Sequence, residues 1–514
     1  MADLEADVVV VGAGHNALVT AGYLAEAGLK VVVLEAREVI GGNTVTERLT
    51  LPAWEHDSCS SAHVVIQSNP LLRRDELGLV SRYGLDYIVT DPAVVMATDD
   101  HGLLVIPPDL RRAQAEVARF SARDAEALGQ LVADWDAGLA AVHAHVSSGL
   151  TPPDGPWTER YRELAVSSAW DVVRETFEHP AVRQTMLWLA FATIQPPERP
   201  GTGILPYAIT TGRLRYGWTT PRGGSIALPR ALEAHLNEHR SSVLTGSPVR
   251  DLLVREGRCV GVRTADGHEV LARRAVVSSA HITQLPAMLG EHRSTMLDDA
   301  ASTWRPGLAV FAVHLAVVGP VAFRSATGNE VRATAGGLGA PEGLRRQLAQ
   351  ALANGHTEED DPWILVVNST VVDRDRAPGD AVKFLTIAPS LLEGREWTEA
   401  DADTFAKVLL EKVRRHTTGL DDAAVLARHV ETPGTLAAHN PANVAGSCHG
   451  GEFQLADGSV LTGWPEHRTD VPGLYLTGSC THPGGSVSGR PGRNTARVLL
   501  EDLQIAPTNV MSLP

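Results

Sequence analysis

The run Asp7–Val11 is almost entirely apolar, the pattern of a strand buried on both faces of a parallel sheet. A glycine-rich break, "GAGHNA", follows it, and helical spacing then runs from Asn16 to about Ala27 and stops at Gly28. "LKVVVLEA" is a second apolar run and ends on Glu35, which completes a βαβ unit. Far along the chain, Leu474–Leu476 is a short strand followed by a glycine-rich turn and a closing helix. Residues 242–280 alternate as strand, turn and antiparallel hairpin, with Gly257, Gly261 and Gly267 at the bends. Helical apolar spacing covers 111–146, and "HPAVRQTMLWLAFATIQPP" at 179–197 is apolar nearly all round. Further strands are expected at 308–317, 363–370 and 381–389, and a helix at 401–419.

The first break has a chemistry of its own. Gly12 permits a tight turn, Gly14 lets the backbone approach a pyrophosphate, and Ala17 is small enough for helix to pack closely on strand. The helix start at His15 and Asn16 offers amides and a partial positive charge to phosphate. Glu35 stands where a carboxylate accepts from ribose hydroxyls, and its charge disfavours the 2′-phosphate of NADP. "EAREVIGGN" adds Ala36, Arg37, Gly41, Gly42 and Asn43; this Glu-x-Arg followed by Gly-Gly resembles the glutathione-reductase-like and amine-oxidase-like flavoproteins, a resemblance that implies FAD rather than NAD.

Composition narrows the class. The chain has 514 residues, 44% hydrophobic and 21% charged, which implies a globular protein of at least two domains. A formal charge of −16 argues against a nucleic-acid partner and against strong attraction to anionic membranes. Cys59, Cys259, Cys448 and Cys480 form no Cys-x-x-Cys pair, so no zinc spacing is offered, and they fit a reducing compartment. No run reaches the length of a membrane span, and the acidic start "MADLEAD" is unlike a signal peptide. A cytoplasmic location is expected, with peripheral membrane contact left open and the oligomeric state unread.

"GAGHNALVTAGYLAEAG", "LEAREVIGG" and "LYLTGSCTHPGGSVSG" together resemble the phytoene-desaturase-like flavoproteins within the amine-oxidase-like superfamily. The nearer branch comprises the bacterial phytoene dehydrogenase-like, pyridine-nucleotide-disulfide-oxidoreductase-domain proteins. That branch carries Gly-His-Asn-Gly-Leu at the first turn and His-Pro-Gly-Gly-Gly-Val-x-Gly at the last, so Ala17 and Ser486 each stand where its pattern has glycine. "WTTPRGGSIALPRALEAHL" at 218–236 matches a middle turn and helix of the family. The resemblance implies an α/β fold: a discontinuous Rossmann-type FAD-binding domain of the glutathione-reductase/amine-oxidase kind, with an inserted α+β substrate domain. The expected FAD-binding pieces are 1–85, 216–289 and 426–514. The expected substrate-domain pieces are 86–215, mainly helical, and 290–425, sheet-containing. It also implies that Val249 contacts adenine, and that Gly478, Ser479, Gly485, Ser486 and Val487 bring the C-terminal turn back to the diphosphate and flavin ring.

An FAD-dependent oxidoreductase is therefore expected, desaturating or oxidising an apolar or amphipathic small molecule. Hydride would pass to flavin N5, with reoxidation by oxygen, a quinone or another acceptor. The alternatives are an amine oxidase, a non-redox isomerase, or a partner-binding protein with structural flavin. Candidate bases are His63, on the segment after the double glycine, and His482, in "THPGG". The plainer alternative for each is a structural hydrogen bond in a loop. A flavin linkage at Cys448 is one reading of "SCHGG", and an ordinary buried cysteine is the plainer one. The apolar stretch at 186–191 reads as a core helix, as the wall of a substrate tunnel, or as a lipid-facing patch.

Overall fold

A computed structural model describes residues 4–98, 102–451, 466–506 and 511–512. The valine run becomes the strand Leu4–Val11, which lies parallel to Val31–Leu34 on one side and to Glu269–Ser278 on the other. The full sheet runs Val249–Arg255, Arg258–Thr264, Glu269–Ser278, Leu4–Val11, Val31–Leu34, Ser242–Leu244, and Leu474–Leu476 also pairs with Glu269–Ser278. Both faces are covered, which is why these strands read as continuous apolar runs rather than alternating ones. The helix His15–Glu26 packs on the closing helix Arg490–Asp502 through Gly492. A Cβ there would stand 2.2 Å from the carbonyl oxygen of Asn16. Thr20 spans the same contact, its hydroxyl 3.0 Å from the Gly492 carbonyl oxygen.

A second sheet of seven strands runs Val425–Glu431, Val310–Val317, Asp380–Ile387, Ile364–Asn368, Ala335–Leu338, Val94–Ala97, Leu103–Ile106. Its pairs are antiparallel except Ala335–Leu338 with Val94–Ala97. All eight residues of Val310–Val317 are buried, because separate apolar clusters cover the two faces of this sheet. The apolar helix Pro180–Phe191 packs on the sheet where Gly337 leaves room, since a Cβ at Gly337 would overlap the Trp188 ring. Trp188 Nε1 donates to the Ile364 carbonyl at 3.2 Å, and Trp188 stacks on Trp363. This helix is core, and the residues just past its end, Ala192, Thr193 and Ile194, reach a cavity between the sheets. No helix among the described residues is long and apolar enough to cross a membrane.

Two stretches fall differently from the sequence reading. Val94–Ala97 and Leu103–Ile106, inside the segment expected to be mainly helical, form a hairpin on the edge of the second sheet. Val425–Glu431, which the expected boundary places almost wholly in the returning cofactor segment, is the opposite edge strand of that sheet. The hairpin joins the sheet through Ala335–Leu338 and Val425–Glu431 joins it through Val310–Val317, partners distant in sequence that local pattern does not reveal. The acidic stretch "HTEEDDP" at 356–362 buries Glu358, whose carboxylate accepts from the backbone N–H groups of Asp360 and Asp361.

Candidate functional site

A cavity of about 1070 Å³ starts at the carboxyl ends of Leu4–Val11 and Val31–Leu34 and extends to the second sheet. In an open α/β sheet this is the edge at which ligands bind. The cavity is at the upper end of the usual size for small-molecule sites, about 300–1,000 Å³. Gly12, Gly14, His15, Asn16 and Ala17 line it, with Glu35, Ala36, Arg37, Gly41, Gly42 and Asn43. So do Val249, Gly478, Ser479, Gly485, Ser486 and Val487, so the fold brings together segments more than 400 residues apart.

The first turn is built to leave donors free. Gly14 is the N-cap of the helix His15–Glu26 and lines the cavity, and no side chain caps the helix, so none competes with a ligand for its first-turn amides. Gly12 sits at φ 86°, and a Cβ on it would stand 2.3 Å from Ser279 Oγ. A Cβ on Gly14, by contrast, would meet nothing within 4 Å. Glu35 is held rigidly: one carboxylate oxygen accepts from Ala13 N–H at 2.7 Å and the other from Arg37 N–H at 2.9 Å. Asn16 Oδ1 is buried and has no hydrogen-bond partner. Uncapped helix amides fit a diphosphate, while the Glu35 carboxylate and the orphaned Asn16 oxygen, both acceptors, fit hydroxyl donors such as those of a ribose.

The next segment crosses beneath. Gly41 N–H donates to the Ala13 carbonyl at 2.8 Å, and Arg37 pairs with Glu47 at 3.0 Å. Asn43 exchanges side-chain hydrogen bonds with Asn440 and Asn443, which ties the double-glycine loop to the chain just beyond the second sheet. The last turn is equally tight. A Cβ on Gly485 would stand 2.6 Å from His449 Cα, and one on Gly450 would stand 2.4 Å from the Ser479 carbonyl oxygen. Gly450 of "CHGG" and Gly485 of "HPGG" therefore each lie directly against facing backbone, which explains those two glycines.

The expected bases are elsewhere. His63 and His482 do not line the cavity. His63 is fully buried between Tyr87 and Ser225. The Ser225 hydroxyl is committed to the Ser60 carbonyl, so His63 Nε2–H donates to Ser225 and Nδ1 accepts from Tyr87. Burial pushes its pKa down to about 3. His482 donates to the Val146 carbonyl at 2.6 Å. Both imidazoles hold loops.

Several lining residues were not singled out as site residues from sequence: Thr44, Cys59, Arg213, Asp251, Asn440 and His449. Proximity to the double glycine could have flagged Thr44, whereas no local pattern points to Arg213. His449 is a half-buried imidazole whose Nδ1 is buried and unpartnered, and desolvation pushes its pKa down to about 4. Cys448 lies beside Cys59; that neighbour and burial push its thiol pKa up, so the nucleophilic thiolate a flavin linkage needs is disfavoured. Outside the cavity, Glu26, His235 and His239 bring ligand-type atoms within 4.8 Å, a juxtaposition that the four-residue His spacing could have suggested. The His235 Nε2–H there already donates to the Gly22 carbonyl at 3.2 Å.

The sequence profile described as "Flavin containing amine oxidoreductase" matches residues 18–329. Pyridine nucleotide-disulfide oxidoreductase domain-containing protein 2 of Mus musculus is 28% identical over 564 residues, covering 97% of this chain and 94% of that protein. A limonene dehydrogenase subunit from Castellaniella defragrans is 24% identical, with 97% and 95% covered. The lycopene-forming phytoene desaturase of Pseudescherichia vulneris is 23% identical, with 96% and 99% covered. Among solved structures, wild-type putrescine oxidase bound to putrescine has a TM-score of 0.58 at 16% identity, covering 98% of this chain and all of that one. An oxidoreductase from Methanosarcina mazei has a TM-score of 0.58 at 14% identity, with 97% and 100% covered. At these identities the structural likeness speaks to fold.

Proposed function

Because the chain belongs to the flavin-containing amine oxidoreductase family and its cofactor is FAD, we propose that it desaturates or oxidises an apolar or amphipathic organic molecule at an activated C–H position. In this reading Gly12, Gly14 and the free amides after them seat the diphosphate, and Glu35 takes the ribose hydroxyls. Val249 faces the adenine. Arg37, Gly41, Gly42 and Asn43 run beneath the diphosphate and ribityl chain. Gly478, Ser479 and Gly485–Val487 border the ring. Bound FAD supplies a two-electron sink, and oxygen, a quinone or another acceptor empties it.

The observation that carries the reading is the lining of the cavity at the second sheet. Ile194, Ile209, Trp218, Val310, Leu365 and Leu385 form an apolar wall there. The only carboxylates among the described lining residues, Glu35 and Asp251, belong to the first sheet and its turns. An ammonium substrate would find no counter-ion at the apolar end, so amine oxidation fits it poorly. An extended hydrocarbon skeleton fits this wall, with Arg213 as the one charged side chain among the described residues beside it, in keeping with relatives named for phytoene, carotene and limonene. The protein contributes orientation and exclusion of water, and His449, held neutral, adds no charge.

The test is anaerobic mixing of the yellow holoprotein with limonene, detergent-dispersed phytoene and putrescine in separate experiments. Bleaching by a hydrocarbon and none by the diamine is expected. Bleaching by the diamine alone would overturn the proposal.

A further inference from the structure

Arg213, on the helix Leu205–Tyr216, lines the apolar end of the cavity and is only 7% exposed. Its guanidinium lies 4.0 Å from the centre of the Trp218 ring. Nε and Nη1 are buried and have no hydrogen-bond acceptor, and no carboxylate among the described residues pairs with the group. Other buried arginines each have a side-chain hydrogen-bond partner, although Nε of Arg376 is also unpartnered and Arg490 has no carboxylate among the described residues. Arg376 pairs with Asp57, Arg493 pairs with Glu76, and Arg490 donates to Ser148 Oγ. Burial pushes the pKa of Arg213 down to about 9, which still leaves it a cation at neutral pH. A lone buried cation with spare donors is a strongly unfavourable arrangement unless something else completes it.

We propose that the substrate completes it: the molecule oxidised here is an apolar chain or ring system bearing one carboxylate, and that carboxylate seats on Arg213. The inference rests on reading the apolar end of the cavity as the substrate seat. A guanidinium offers a carboxylate charge-assisted hydrogen bonds, and the Trp218 ring, its centre 4.0 Å away, braces it. A neutral hydrocarbon would leave the donors of Arg213 unmet, and an ammonium would be repelled. A diphosphate carries more negative charge than one guanidinium can balance, and the imidazole of His449, which also lines the cavity, is neutral. The charge count therefore selects a monoanion.

The experiment is calorimetric titration of the FAD-loaded protein with geranic acid and linoleic acid, their methyl esters, and the corresponding primary amines. Each acid should bind about 10- to 100-fold tighter than its ester, the range for one charge-assisted pair, and the amines weakest. Arg213→Met should erase the preference for acid over ester while leaving FAD content and the ligand-free visible spectrum as in wild type. Arg213→Lys should retain part of the preference. With the unpaired charge gone, Arg213→Met should also melt at a higher temperature than wild type. Equal binding of acid and ester, or a preference that survives Arg213→Met, would overturn this inference alone. So would loss of FAD or an altered ligand-free spectrum in Arg213→Met, because the arginine would then serve the flavin. Failure of every acid and ester to bind would overturn the inference alone if limonene or phytoene still bleaches the flavin, and the proposed function with it if neither does.

Discussion

The Nε2–H of His15 donates to the carbonyl oxygen of Ser486 at 3.2 Å, so one imidazole fastens the first turn of the chain to the last. Its Nδ1 lies 3.0 Å from Thr44 Oγ1, which extends the link to the double-glycine loop. With one nitrogen donating and the other accepting, the ring is neutral, and burial pushes its pKa down to about 4. Ser486 sits at φ 103°, a conformation natural to glycine, and the bond from His15 helps hold it there. The three loops are therefore positioned by one another, around the place proposed for the diphosphate and flavin ring.

His15→Ala should loosen FAD without unfolding the protein. Losing two hydrogen bonds of about 1 kcal/mol each predicts flavin affinity lower by roughly 5- to 30-fold. Flavin release on dilution, followed by the return of free-flavin fluorescence, measures it. Unchanged retention would mean that the link is dispensable.

Gly12 and Gly14 should respond in opposite ways. Gly12→Ala forces a side chain into a positive φ and against Ser279 Oγ, so the fold itself should lose about 1–3 kcal/mol. Gly14→Ala places its methyl in open space at an ordinary φ, so apo stability should stay within about 0.5 kcal/mol of wild type. That methyl points to where the pyrophosphate would approach, so FAD binding should suffer instead. Thermal melts of apo and FAD-loaded forms separate the two effects. Equal loss of apo stability in both variants would contradict the geometry.

Stability should fall on mild acidification. Burial pushes His15, His143, His281, His449 and His467 down to about 4, and His56 and His63 to about 3. In the unfolded chain each titrates near 6.5, so between about pH 6.5 and 4 the unfolded state binds more protons. The stability that these neutral rings contribute is complete above about pH 6.5 and lost as pH falls through that window. Melting temperature should therefore drop steadily from about pH 6.5 to 4.5 and change little between about 7 and 8. A flat profile across the acidic window would rule out this set of buried neutral histidines.

Much of the first sheet and its turn was legible because its determinants are local. Val8–Val11, Gly12, Gly14 and Glu35 lie within one βαβ unit, where spacing along the chain dictates spacing in space. The strand at 310–317 was legible for the same reason, as an apolar run long enough to be read alone. Arg213 was not, because its meaning lies in what is absent around it, and a missing carboxylate has no sequence signature. His63 misled for a related reason. The segment after the double glycine does reach the cavity through Cys59–Ala62 and Val64–Val65, yet the histidine between them turns away toward Tyr87. Which side of a loop a residue faces is decided by distant partners.

The junction between the two sheets rests on Asp57. Its carboxylate accepts from Thr46 Oγ1 at 2.7 Å, from Ser225 N–H at 2.9 Å and from Arg376 Nη1 at 3.0 Å. Asp57 and Arg376 are almost wholly buried, at 3% and 1% side-chain exposure. Burial alone would raise the Asp57 pKa, but Arg376 and the other donors override it and hold the carboxyl below its ordinary range. Beside this pair, the Lys383 ammonium donates to the carbonyls of Asp57, Ser58 and Cys59, so the second sheet grips the strip of chain that leads into the cavity wall. Removing one partner of such a pair leaves the other charge stranded, which typically costs about 3–5 kcal/mol. Asp57→Asn should therefore destabilise by roughly that amount, and adding Arg376→Met should restore a large part of it. Chemical denaturation of wild type, both single variants and the double variant gives the coupling directly. Additive losses would mean that the two side chains act independently and that Lys383 holds the junction by itself.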